Sequence, residues 1–262
     1  MPKHTLTRLL GYIAVPTAAT IYGTHLGLSH LEKKYPALPP STHGSRALST
    51  PENPQTQRCA YTDIYAARVP LHALSGRTRT PNSTERSALE DAWARTIVGS
   101  RILKAEASMV GLLRGHYSPG DTGATEEGFA PNKTTGAPRE LLNGIFVVKR
   151  EIAADKDSNG LLVAWNLPDS PRLFFEKIAR WGYPWRLMSG GRHEMSISEP
   201  FEVQGQGKFI DVRFASAHDY EIVESEGPLE EQKIIPNWTM RLHRGCARLV
   251  LDVAARDLEK GR

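Results

Sequence analysis

Gly144-Ile145-Phe146-Val147-Val148-Lys149-Arg150-Glu151-Ile152 and Leu161-Leu162-Val163-Ala164-Trp165 are apolar runs rich in β-branched and aromatic residues, separated by the polar stretch 155–160. Two such runs around a turn of Asp-Ser-Asn-Gly character predict an antiparallel hairpin. Further strands are expected at 194–198, 209–214 and 220–223. In the second of these Phe209, Asp211 and Arg213 alternate with Ile210, Val212 and Phe214, the period of a half-buried strand. Upstream, Tyr61-Thr62-Asp63-Ile64-Tyr65 supplies a first strand or a segment packed on the core, and Gly205-Gln206-Gly207 reads as a turn or bulge.

Helical spacing flanks these runs. Residues 84–98, capped by Asn82 or Ser83, place Leu89, Ala92, Trp93 and Ile97 on one face, with Trp93 as a core anchor. Leu103, Ala107, Val110 and Leu113 recur likewise over 101–113. Asp169-Ser170-Pro171 signals a helix start with Ser170 as cap and Pro171 in the first position. Pro236-Asn237-Trp238 opens a long amphipathic helix whose stripe Trp238, Leu242, Leu249, Val250, Val253 and Leu258 must pack on something. The order of elements predicts an α+β domain in which a curved antiparallel sheet packs on the long C-terminal helix. The nearest familiar architecture is the helix-grip (START-like) fold of lipid-transfer and cyclase proteins, with its cavity between sheet and helix. The loop 115–139, dense in Gly, Pro and Thr, is long enough to serve as a lid at the mouth of such a cavity.

The amino-terminal part divides differently. Residues 9–31 contain no Asp, Glu, Lys or Arg, between Arg8 and Glu32. A membrane anchor through residues 9–31 is the leading reading, with a signal peptide and a docking helix as alternatives for a stretch of this length and dilute apolarity. Lys3 and Arg8 on one flank face Lys33, Lys34 and Arg46 on the other, so the charges do not fix which side the body occupies, and secreted or cytoplasmic placement stays open. Three segments follow: a hydrophobic leader or membrane anchor at 1–34, a Pro/Ser/Thr-rich linker at 35–58, and a single domain at 59–262. The linker carries few large apolar groups, so removing 1–58 is expected to leave the domain folded.

The chain of 262 residues has 33 Lys+Arg against 29 Asp+Glu, with no block of like charge and no basic stretch interleaved with aromatics, which argues against nucleic acid as partner. Cys59 and Cys246 are the two cysteines, too few for a disulfide framework or a cysteine zinc site. Asn82, Asn132 and Asn237 each begin an Asn-x-Ser/Thr tripeptide and become glycosylation candidates in a secretory compartment. Trp238 beside Asn237 points to partial burial there, and Asn132 sits in an open loop.

No phosphate loop, dinucleotide glycine pattern, nucleophile elbow or paired-histidine zinc helix is present in the sequence, so neither a cofactor nor a metal is expected. What remains is polar residues beside aromatics. Trp181-Gly182-Tyr183-Pro184-Trp185 precedes Ser189-Gly190-Gly191-Arg192-His193-Glu194. Read functionally, Trp181, Tyr183 and Trp185, with Trp165, wall a pocket in which His193 and Glu194 act as acid, base or hydrogen-bond donor after a flexible Gly-Gly turn. Read structurally, the same aromatics pack a helix exit. His218 is a further substrate-binding candidate. Asp219 cannot readily orient it, because neighbouring strand residues face opposite ways, and Ala217-His218-Asp219-Tyr220 also suits a turn.

The short hydrophobic leader, the Pro-rich spacer and the single body carrying Arg180-Trp181-Gly182-Tyr183-Pro184-Trp185 and Arg241-Leu242-His243-Arg244-Gly245-Cys246-Ala247-Arg248 resemble accessory proteins of fungal secondary-metabolite pathways. Some of those are cofactor-free cyclases, including Diels-Alder-type pericyclases. The resemblance implies a cofactor-independent cyclase or isomerase acting on a small apolar metabolite and transfers no catalytic residue. A noncatalytic lipid or metabolite carrier, and a membrane-tethered interaction domain, are the alternatives.

Overall fold

The computed structural model describes residues 20–113, 115–152 and 159–260. It is an α+β fold on one antiparallel sheet of seven strands in the order β1-β7-β5-β4-β3-β2, with β6 paired to β7. The strands are β1 (Gln57–Pro70), β2 (Glu140–Leu141), β3 (Phe146–Arg150), β4 (Leu161–Asn166), β5 (Gly190–Ile197), β6 (Phe201–Val203) and β7 (Gly207–Glu221). The expected hairpin is present as the antiparallel pair β3 and β4, with Val147 opposite Ala164 and Val148 opposite Val163. Most of its expected turn falls outside the described residues. Where two strands and a turn at 217–220 were expected, β7 runs unbroken for 15 residues and pairs with β1, β5 and β6. The alternation was hidden because residues 214–220 are buried whichever face they point to.

Eight α-helices accompany the sheet among the described residues: α1 (20–34), α2 (Pro40–His43), α3 (Arg46–Ser49), α4 (Leu71–Ser75), α5 (Arg86–Val98), α6 (Arg101–Leu113), α7 (Asp169–Arg180) and α8 (Asn237–Glu259). The predicted caps do not form. Asn82 adopts a left-handed φ of 61° outside α5, whose N-cap is Glu85. α7 begins at Asp169 after Pro168, so Ser170 and Pro171 lie inside its first turn.

Register assigns each side chain to one of two faces. Tyr65, Val163, Met195, Val212 and Phe214 point to the first, where they join Trp93, Ile97, Leu103, Leu251 and Leu258 from α5, α6 and α8 in the main core. Trp93 is fully buried as expected and its indole N–H donates to the Arg213 carbonyl at 2.8 Å. On α8 the buried stripe runs through Met240, Ala247, Leu251, Ala254 and Leu258. Of the expected stripe Val250 and Leu258 are buried, whereas Trp238, at 61% exposure, points outward with Leu242 and Leu249. Helix α8 must instead turn its small and aliphatic side to the crowded sheet.

The second face carries Ile64, Leu162, Ala215 and Ala217, covered by Leu48 of α3. Residues 35–58 are therefore no extended linker. Tyr35 and Leu48 are buried, and Leu38 bridges to Ile64 in β1. Helix α1, the described part of the charge-free stretch, docks on α8: Leu28 fills the space beside Gly245, and Arg241 binds Glu32 at 2.7 Å and Ser29 at 3.0 Å. Buried Asp252 accepts from Lys34 at 2.7 Å and from the Tyr35 hydroxyl at 2.8 Å. No helix among the described residues is long and apolar enough to cross a membrane.

Gly190 and Gly191 lie in β5, not in a flexible turn. A Cβ on Gly191 would stand 2.1 Å from the Ala217 carbonyl oxygen and 2.9 Å from Cζ2 of Trp165. Gly191→Ala should therefore push β5 from β7 and cost about 3 kcal/mol, the upper range for overpacking. A urea midpoint equal to that of the parent would contradict this reading.

Candidate functional site

Between the first face of the sheet, α6 and α8 lies a cavity of about 1070 Å³. It is lined by the apolar Leu103, Ile145, Phe146, Phe214, Ala247 and Val250 and by the polar Gln57, Glu106, Asn143, Asn166, Asp169, Arg172 and Glu221. The space is left because α8 packs on β1 and β7 rather than on β3 and β4.

Trp165, His193 and His243 line the cavity, and His218 stands directly behind them. The His193 ring stacks on Phe214 at 5.0 Å between centroids and lies 6.1 Å from Trp165. His218 stacks on Tyr61 at 4.3 Å, meets the His243 ring edge-on at 4.6 Å, and places Nε2 3.3 Å from the Ser216 hydroxyl. Strand parity brings these groups together: His193 faces Ser216, and Gly191 faces His218, across the β5–β7 ladder. Trp165 can lie over this pair only because Gly191 has no side chain.

The imidazoles are held uncharged. Burial pushes His193 down to about 3, with repulsion from His243 adding to it, and burial with the same repulsion takes His218 to about 2. His243 is also lowered by burial, opposed by the carboxylate of Asp63, which α8 holds through Arg244 at 2.9 Å. The Trp165 indole N–H is buried without a partner among the described residues. Cys246 also lines the cavity, its thiol pushed up by burial. Cys59 lies in β1, and neither cysteine is in a disulfide. No cluster of three His, Cys, Asp or Glu able to hold a metal occurs among the described residues.

Other sequence-predicted residues fall elsewhere. Glu194 points to the second face, where it accepts from Ser45 and from Arg150 at 2.8 Å, so it shares no site with His193. Asp219 likewise faces away from His218 and forms a buried pair with Arg192, which also donates to the Leu48 carbonyl at 2.7 Å. Trp181 is 74% exposed at the end of α7, and Tyr183 and Trp185 pack on each other at 5.2 Å. None of the three lines the cavity. They form neither a pocket wall nor, for Trp181, a packed helix exit. The loop 115–139 also stays off the cavity: Phe129 buries itself in the main core, and Arg139 binds Asp121 at 2.6 Å. Asn82, Asn132 and Asn237 are all exposed, and Trp238 gives Asn237 no cover. Sequence reasoning missed His243 as a member of the cluster. Its signal was present, since it lies at helical spacing from Ala247 and Val250, which face the same way.

No family model matches the chain, and no curated protein and no solved structure matches it.

Proposed function

We propose that the cavity takes up a small, largely apolar metabolite and promotes its cyclisation or isomerisation without a cofactor, in an arrangement of the helix-grip kind. The observation that carries this reading is a cavity of about 1070 Å³ whose apolar wall is interrupted by the uncharged His193 beside Trp165. That volume suits a small organic ligand. A neutral imidazole can donate a hydrogen bond to an oxygen that gains charge during bond reorganisation, while aromatic walls hold a flexible chain in a reactive shape. An intramolecular rearrangement balances with no second reactant, so the site needs neither a strong nucleophile nor a charged acid. His193 depressed this far is a poor proton acceptor at neutral pH, and the role assigned to it is donation.

The test is incubation with linear polyenes bearing a carbonyl group, followed by product analysis. His193→Ala should lower turnover about tenfold or more with the thermal transition kept, the usual scale for loss of one polarising donor. Recovery of bound but unchanged compound would identify a carrier. Absence of binding would leave an interaction domain, and full activity in the variant would remove His193 from the mechanism.

A further inference from the structure

We propose that α7, together with the first turn of α8 and Ile21 and Tyr22 of α1, forms a docking face for a lipid bilayer. Only Ala179 of the 12 residues of α7 is buried. Leu173, Phe174 and Trp181 are 51%, 59% and 74% exposed, and the exposed cations Lys177 and Arg180 flank them, Lys177 lying over the Trp181 ring at 5.3 Å. Its exposed acid, Asp169, is tied to Arg172 at 2.8 Å. The carboxy-terminal end of α7 abuts the segment entering α8, where Lys233 donates to the Ala179 carbonyl at 2.9 Å.

That segment leads to Trp238. Helix α1 runs alongside α8 in the same direction, with His25 against Arg241 and Leu28 against Gly245. The exposed Ile21 and Tyr22 precede His25 by about one turn, as the exposed Trp238 precedes Arg241. The exposed side chains of α7, of Ile21 and Tyr22 and of Trp238 therefore comprise Trp, Tyr, Phe, Leu and Ile, with the cations Lys177 and Arg180 among them. This is the composition of an interfacial helix, whose aromatic rings sit at headgroup level while Lys and Arg reach lipid phosphates.

Two observations favour a bilayer over another occupant. In the sequence that precedes α1, residues 9–19 carry no charge while Lys3 and Arg8 precede them. Asp169 and Glu176 of α7 are both paired with Arg172, so the exposed charges of this helix outside those ion pairs are the cations Lys177 and Arg180, as a surface for anionic headgroups requires. Because Asp169 and Arg172 line the cavity, an apolar compound dissolved in the membrane would pass α7 to reach it. The docking face does not depend on whether that compound is transformed.

The experiment is co-sedimentation of the full chain with vesicles of phosphatidylcholine alone and of phosphatidylcholine with phosphatidylserine. Binding is expected to be stronger to the mixed vesicles. The combined substitutions Phe174→Asp, Trp181→Asp and Trp238→Asp should lower the partition coefficient about tenfold or more at unchanged melting temperature, because all three side chains are exposed. Brominated lipid should quench part of the parent's tryptophan emission and lose that part in the variant. Parent-like binding by the variant would place all affinity before residue 20 and overturn the proposal. No binding by the parent would overturn it as well. Self-association of the parent, abolished in the variant and without vesicle binding, would assign the face to a second copy instead.

Discussion

Acidification from pH 7 to pH 5 is expected to cost the fold about 4 kcal/mol, read as a fall in the urea midpoint. An imidazole in the unfolded chain takes up its proton near pH 6.5, whereas His193 and His218 are held down to about 3 and about 2. Below 6.5 the unfolded chain therefore binds one proton per ring that the fold refuses. Stability is full above that value and falls with pH by about 1.4 kcal/mol per unit for each ring. Two rings over one and a half units give the quoted loss, and His243, lowered in the same direction, adds to it. The raised carboxyls of Asp219 and Glu106 act with the opposite sign, since the fold takes up their protons before the unfolded chain does. His218→Gln should roughly halve the pH dependence even if it lowers stability at pH 7. A midpoint unchanged between pH 7 and pH 5 would rule out buried neutral rings.

Deleting residues 1–58 should abolish the cooperative thermal transition, the opposite of what composition alone suggested. Tyr35 and Leu48 each contribute about 2 kcal/mol of apolar burial. Their removal also opens Ile64, Leu162 and Ala217 to water, strips Ser45 from Glu194 and Leu48 from Arg192, and takes two donors from buried Asp252. Breaking partners of buried ions costs about 3 kcal/mol or more. The total is comparable with the whole stability of a domain, about 5–15 kcal/mol. Cooperative melting of 59–262 near the parent temperature would contradict this. Leu48→Ala in the full chain isolates one component, with an expected loss of about 3 kcal/mol.

The contrast shows where sequence reading carried and where it stopped. The β3–β4 pair, α6 and the anchor Trp93 were legible because each rests on a local period. Leu48 was not, since a single leucine among prolines has no period, and its role depends on a sheet face assembled from distant strands. Strand parity separated His218 from Asp219 correctly, and the same rule applied to His193 and Glu194 would have parted them too. Trp181 and Trp238 were expected inside on side-chain type, yet helix direction turns them outward. The cluster of His193, His218 and His243 joins β5, β7 and α8, a convergence that only tertiary structure brings about.

The ladder between β1 and β7 has a consequence for how the chain can be made. Its partners, such as Val69 and Ile210, are roughly 150 residues apart, and β7 also holds β5 and β6. At a synthesis rate of about 5–20 residues per second, β1 waits on the order of ten seconds or more for its partner to leave the ribosome. During that interval Tyr65, Ala67 and Val69 are exposed on an unpaired strand, and α8, which packs on that face of β1, emerges later still. Assembly of the sheet therefore waits for β7 and α8, and nascent chains halted before residue 207 should engage chaperones through the β1 segment.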